Sequence, residues 1–370
     1  MIISRKPVIK RVPQRLNHVE GITTYGADNL YPQRVEEIMF RSALTNSGIE
    51  RIADFVNGDG FSENGDLILN DKGQTANDIL RIISIDVAKY KSSFAFHINW
   101  NLLGEITDIM PNEFKFVRYG LPDERGMHHD AKLNINWENA SGVLPRGSKN
   151  LIWTFPLFDP DFKNEDFSDD FMGQILYQVP NPDVYPRATF DSVLDSSQTS
   201  GEIQVFELSN IQNGFLGTSI VKYPGEFEDE DAEKAFKKDV KELQGASNAN
   251  SILVLEMKDM EEDHTLIEQF NALNLDRLFE VTNKSVDRRI VQAIAVPPAL
   301  LGVFPESGMF NQQDYEDSYT WMNIRTQNMR RVVERVFNEK IGKHWHEGEI
   351  TFGEIITTKF DGGKEVNNEG

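Results

Sequence analysis

The 370-residue chain contains no cysteine, so neither disulfides nor thiolate chemistry supports its fold, a composition suited to a reducing compartment. No apolar run approaches the roughly 20 residues of a membrane-crossing helix, and the N-terminus carries no apolar signal core. The expectation is a soluble protein that is not exported by a standard signal. Basic residues are scarce: 38 Lys and Arg stand against 59 Asp and Glu, for a formal net charge of −21. Such a surface does not gather DNA by general phosphate neutralisation, although local basic patches remain open to it. Also missing are the Gly-x-x-x-x-Gly-Lys-Ser/Thr loop of a nucleotide-driven motor and the Gly-x-Ser-x-Gly elbow of a hydrolase. Asn57-Gly58-Asp59-Gly60 has closely spaced glycines, but it lacks the third glycine of a dinucleotide fingerprint and reads as a turn.

What is present adds little catalytic chemistry. Carboxylates are so abundant that a pair of them does not mark an acid–base site. His344 and His346 flank Trp345, and His128-His129 adjoin Asp130, yet two histidines without a third ligand make a poor metal site. Asp159, Asp161, Asp166, Asp169 and Asp170 crowd one loop. A calcium loop would place an oxygen ligand and a glycine where Lys163 and Asn164 stand, so the loop reads as solvated acid. No catalytic, cofactor-binding or metal-binding residue is assigned.

The organising stretch runs from Leu273 to Asn338. Leu275, Leu278, Phe279, Val286, Ile290 and Ile294 recur at helical spacing. Val296-Pro297-Pro298 ends that helix, because proline lacks an amide hydrogen and restricts the residue before it. Leu300 to Phe310, with two glycines and Pro305, reads as a loop. Asn311 is a plausible N-cap, with Asp314 three positions on. Tyr315, Tyr319, Met322, Met329, Val333, Val336 and Phe337 then mark a second helix, roughly 40 Å long at 1.5 Å per residue.

Elsewhere, residues 1–19 carry five basic side chains and no acid, a solvated arm or a docking peg. Tyr31 to Val56 suggests one or two helices, and Asn77 to Ala88 another, with Asn77 as its cap. Phe94, Phe96, Ile98 and Trp100 alternate as a half-buried strand. Ile106–Ile109, Phe114–Val117, Leu133–Trp137 and Leu151–Phe155 follow as strands, and Pro180, Pro182 and Pro186 form a stiff connector. Thr189 to Asn213 is helical, with an expected interruption at Ser196–Gly201. A strand at Ser219–Tyr223, a helix over Glu230–Gln244 and a strand at Ser251–Glu256 make a small α/β insertion. A last strand is expected at Phe352–Phe360, followed by a disordered tail. Arg325, Arg330, Arg331 and Arg335 on the long helix either pair with neighbouring acids or contact DNA.

Ile294-Ala295-Val296-Pro297-Pro298-Ala299-Leu300-Leu301-Gly302, closing one helix and leading through a loop to a long one, resembles the portal proteins of tailed bacteriophages. It is most similar to the compact portals of long-tailed phages, and the agreement in order runs from about Ala88 to Glu339. The resemblance implies an α+β fold with a basic N-terminal arm over 1–30 and a wing of sheet and helices over 31–188. It further implies a first stem helix over 189–217, a clip over 218–268 and a second stem helix over 269–295. A tunnel loop over 296–312 and a long wing helix with a following strand over 313–352 complete it, with a C-terminal tail over 353–370 and a crown reduced or absent.

It also implies a twelve-membered ring, double-stranded DNA in its lumen, and contacts with terminase large subunit, major capsid protein and a head–tail adaptor. Gly302, Phe304, Pro305, Glu306, Ser307, Gly308, Met309, Phe310 and Asn311 would face DNA. Tyr223, Phe236, Lys237 and Lys241 would bind partners at the clip, and Leu278, Phe279, Ile290 and Ile294 would join subunits. The expected location is the portal vertex of the virion, after assembly in host cytoplasm. Two other readings stay open: another virion subunit, such as a connector or capsid protein, and a metal-dependent hydrolase.

Overall fold

The computed structural model describes residues 14–140, 150–161, 171–180, 184–212, 219–224, 234, 252–257, 266–269, 275–303, 310–342 and 348–353. The chain divides into a larger unit, Met1–Leu194 with Ile290–Gly370, and a smaller one, Asp195–Arg289.

The larger unit opens with a short antiparallel pair, β1 (Leu16–Asn17) and β2 (Ile22–Thr23). Two helices follow, α1 (Tyr31–Arg41) and α2 (Ala43–Asn57), separated by Ser42, whose hydroxyl caps α2. Gly58 stops α2 at φ 49°, a left-handed geometry that glycine adopts without strain. After β3 (Phe61–Glu63), α3 (Ala76–Lys89) starts on a capping box in which Thr75 and Asp78 satisfy each other's backbone amides. The cap is therefore Thr75 and not Asn77. The Asn77 side chain instead accepts the Phe61 amide at 2.7 Å. Ile49, Ile52 and Val56 of α2 and Ile79, Leu80 and Ile83 of α3 are buried, as their helical spacing requires.

β4 (Phe94–Trp100), β5 (Ile106–Asn112) and β9 (Gln174–Gln178) form an antiparallel sheet in the order β5-β4-β9. β6 (Val117–Tyr119), β7 (Asp130–Leu133) and β8 (Trp153–Pro156) form a second, in the order β6-β7-β8. Two expected strands shift. Phe114–Phe116 is a 3₁₀ turn ahead of β6. β7 ends at Leu133, because Trp137 folds inward and its Nε1 donates to the Phe116 carbonyl at 2.9 Å.

Arg118 of β6 is fully buried, and all five of its N–H groups are used. Nε donates to Asn29 Oδ1 at 2.6 Å, and Nη1 donates to the carbonyls of Lys115 and Val117. Nη2 donates to the Asn29 carbonyl and to Gln33 Oε1. The guanidinium lies 5.5 Å from the Tyr25 ring and 5.1 Å from the Trp137 ring, a cation–π enclosure. Tyr25 stacks on Tyr185 at 4.2 Å.

A charged cluster lies nearby. Lys89 contacts Glu36 at 3.1 Å and Asp86 at 3.6 Å, while Lys115 contacts Glu36 at 2.6 Å and Glu113 at 2.7 Å. Burial alone would raise the Glu36 pKa, but Lys89 and Lys115 outweigh it and hold the carboxyl below its usual value. Glu36 thus contributes stability above the ordinary glutamate pKa of about 4.3, and that contribution is lost as pH falls through its lower folded value. Burial raises the Asp86 pKa, which works in the opposite direction. Urea melts at neutral pH and below pH 4 should show Glu36→Gln losing less stability on acidification than the native chain. An equal or greater loss would remove Glu36 as a source of acid sensitivity.

The smaller unit contains most of α4 (Leu194–Gln212), the strands β10 (Ser219–Pro224), β11 (Ile252–Met257) and β12 (Leu266–Gln269), and α5 (Leu275–Ile294) through Arg289. β10 lies between β11, which it pairs in parallel, and β12, which it pairs antiparallel. β12 is a strand the sequence reading missed. α4 runs unbroken through Ser196–Gly201, since Ser197 and Ser200 are buried and small side chains suit a helix side that is covered. The expected clip helix falls outside the described residues, apart from Lys234.

Back in the larger unit, one helical turn, α6 (Pro298–Leu301), precedes α7 (Gln312–Arg335). α7's 24 residues span about 36 Å and pass into a π-helical turn at Val336–Ile341. Phe337 of that turn meets Phe61 and Phe96, tying it to β3 and β4. β13 (Thr351–Phe352) pairs with β3, and the remainder of the expected last strand falls outside the described residues.

Candidate functional site

The chain breaks between α5 and α7. The last helical bond of α5 runs from the Ala295 amide to the Val291 carbonyl at 2.8 Å. Ala295 then takes φ 53°, so the helix stops in a left-handed residue, as many helices do, though on alanine in place of the usual glycine. Pro297, at φ −56° and ψ 135°, starts α6, with Pro298 in its first turn. Gly302, at φ 69°, ends it and has open space where a side chain would stand. The stretch from Pro298 to Leu301 was expected to be loop and is this short helix.

At the far side, Asn311 begins α7 as expected. Its side chain accepts the Asp314 amide at 2.9 Å, and the Asp314 carboxylate accepts the Asn311 amide at 3.0 Å. The Phe310 ring meets Tyr315 edge-on at 6.0 Å. Phe304, Pro305, Glu306, Ser307, Gly308 and Met309 lie outside the described residues, as do Phe236, Lys237 and Lys241. Tyr223 lies on β10 opposite Glu256 of β11.

Two arginines of α7 hold backbone carbonyls. Arg325 Nη1 donates to the Ala295 carbonyl at 2.6 Å, and its guanidinium sits 5.5 Å from the Trp321 ring. Arg330 Nε donates to the Phe55 carbonyl at 2.9 Å, near the C-terminal end of α2 where a cation is favoured, and Nη2 reaches Phe55 and Asn323. Neither arginine forms an ion pair with an acidic side chain among the described residues, which is what the pairing expectation required. Arg331 and Arg335 are exposed.

Of the four residues expected to join subunits, Ile290 and Ile294 have described side chains, whereas those of Leu278 and Phe279 lie outside the described residues. Ile290 and Ile294 are fully buried within the chain, and Ile294 lies so close to Gly48 of α2 that a Cβ there would sit 3.0 Å away. Among the described residues of that apolar stripe, Val286, Ile290 and Ile294 are covered within the single chain. Among the described residues of the smaller unit, Val205, Phe206 and Leu208 on α4 and Val281 on α5 are large apolar side chains left exposed. Asn283 Nδ2 donates to Glu207 Oε1 at 3.3 Å, linking the two helices.

A cleft of about 640 Å³ opens beside β8 and β9, lined by His128, His129, Phe155, Phe158, Asp159 and Met172 among others. Its histidines are engaged: His128 Nδ1 with the Gly120 carbonyl and His129 Nε2 with Asp123. No cluster of three or more metal-ligating side chains occurs among the described residues. Nor, among them, is any helix long and apolar enough to cross a membrane. His344 and His346 lie outside the described residues.

The fold of this chain is similar to that of chains from gene transfer agent particles. Over 88% of its length it superposes on 86% of a chain in the neck of a native gene transfer agent particle computed with C12 symmetry, with TM-score 0.53 and 12% identity. A chain of the native gene transfer agent virion matches with TM-score 0.52 and 13% identity, over 86% of this chain and 82% of that one. An HK97-family phage portal protein from Corynebacterium diphtheriae matches over 86% of this chain and 94% of its own, with 8% identity and a TM-score of 0.46, too weak to bear on function. No family model matches the chain, and no curated protein matches its sequence.

Proposed function

We propose that the protein is a portal subunit: a structural component that forms a ring at one capsid vertex, through which double-stranded DNA enters and leaves. The observation that carries this reading is the superposition, along nearly the whole chain, on a neck chain from a particle computed with twelvefold symmetry. The helix–Val-Pro-Pro–loop–helix sequence supports it independently. In this reading the larger unit is the wing, α4 and α5 are the stem, the β10–β12 sheet belongs to the clip, and residues 296–312 are the tunnel loop. Terminase large subunit and a head–tail adaptor meet the clip, and the major capsid protein surrounds the wing. The lateral stem contact runs through Val205, Phe206, Leu208 and Val281, since Ile290 and Ile294 are spent inside the protomer. An excess of acid lets DNA slide without adhering.

The purified protein, imaged in negative stain and weighed by native mass spectrometry, should give rings with a central hole and a mass of about a dozen copies of 42.2 kDa. Monomers alone, at every concentration tried, would overturn the reading.

A further inference from the structure

Left-handed backbone costs any residue other than glycine, and the cost is accepted only where surrounding structure imposes it. Ala295 is such a residue, at φ 53°. Nothing in its own methyl side chain stabilises that geometry. Its neighbours Ile294 and Val296 are buried, so the chain is held on both sides of the break. Its carbonyl points at Arg325 Nη1, 2.6 Å away.

Arg325 itself is built to stay. It lies on α7, one turn from Trp321, whose ring faces the guanidinium at 5.5 Å. Burial lowers the Arg325 pKa, as expected for a cation withdrawn from water, and among the described residues it makes no ion pair. An arginine that is half-buried, set against an aromatic ring and turned toward a main-chain oxygen serves that oxygen.

We propose that Arg325 is a positioning residue that latches the left-handed break at Ala295 and thereby fixes the direction in which the chain leaves α5 for the loop. The latch is a property of the folded chain. The function it serves, aiming a loop at passing DNA, rests on the portal reading above.

Glycine adopts left-handed geometry freely, which makes the latch testable by rescue. Amide hydrogen exchange of the segment 291–303 reads local opening in the full-length protein. Arg325→Met should raise its exchange about tenfold, the ratio that corresponds to the left-handed cost of one alanine, with melting temperature nearly unchanged. Ala295→Gly in the same background should return exchange to near the native rate. Unchanged exchange in Arg325→Met would overturn the proposal, as would failure of Ala295→Gly to rescue it, since a packing role on Trp321 gains nothing from a glycine at 295.

Ala295→Gly alone carries the test even if Arg325→Met does not fold. Its exchange should equal or fall below the native rate, and faster exchange would count against the latch. None of these readouts involves rings or DNA, so failure of the latch and failure of the portal reading are separately visible.

Discussion

Arg118→Met should leave the larger unit unable to hold its fold at growth temperature. Methionine matches the length of the arginine stem but returns none of its five hydrogen bonds. The carbonyls of Asn29, Lys115 and Val117 and the side-chain oxygens of Asn29 and Gln33 would each lose a charged donor in a site closed to water. At about 1.5–3 kcal/mol for each bond to a charged group, partial relaxation still leaves a loss of roughly 4 kcal/mol or more. A domain typically holds only about 5–15 kcal/mol in reserve. Arg118→Lys should fail nearly as badly, because an ammonium offers three donors and no planar fork. Thermal melts of the soluble fraction measure this, and a variant melting within a degree or two of the native chain would refute the role given to Arg118.

The second large effect concerns assembly. Val205 is 56% exposed and Leu208 55% exposed, one turn apart on α4. Aspartate at both positions is tolerable in an isolated chain, where the side chains meet water. In a ring, the pair would be desolvated at every one of the repeated interfaces, at several kcal/mol per uncompensated charge. The double variant should therefore remain folded by circular dichroism yet give no rings in negative stain. Ile290→Asp should behave differently and unfold, since Ile290 is 0% exposed in the single chain. Rings from the double variant would show that the lateral contact lies elsewhere.

How much of this was legible beforehand varies with the physics of each element. The Val-Pro-Pro break, the Asn311 capping box and the alternation from Phe94 to Trp100 are local signals, and the structure follows them. The start of α3 was misplaced because two cap-forming residues stand two positions apart. Only the distant Phe61 amide decides that Asn77 is occupied elsewhere. The serine-rich middle of α4 looked like a weak point, but burial of Ser197 and Ser200 overrides propensity. β12 is four residues long, too short for periodicity to separate it from the helix that follows. As for the site, the sequence located the break but not its fastening. Nothing in the order of residues reveals that Arg325 reaches a carbonyl thirty positions away.

Arg118, Arg325 and Arg330 share a trait: each guanidinium donates to oxygens that carry no charge. An ion pair weakens when salt shortens the Debye length to a few ångströms, and a carboxylate partner disappears in acid. A bond from a permanent cation to an amide oxygen has neither vulnerability. The three joints that fix β6, the end of α2 and the end of α5 are therefore indifferent to ionic strength and acidity. A chain this acidic, whose surface charges respond to every change of medium, keeps its internal alignment on fastenings that do not.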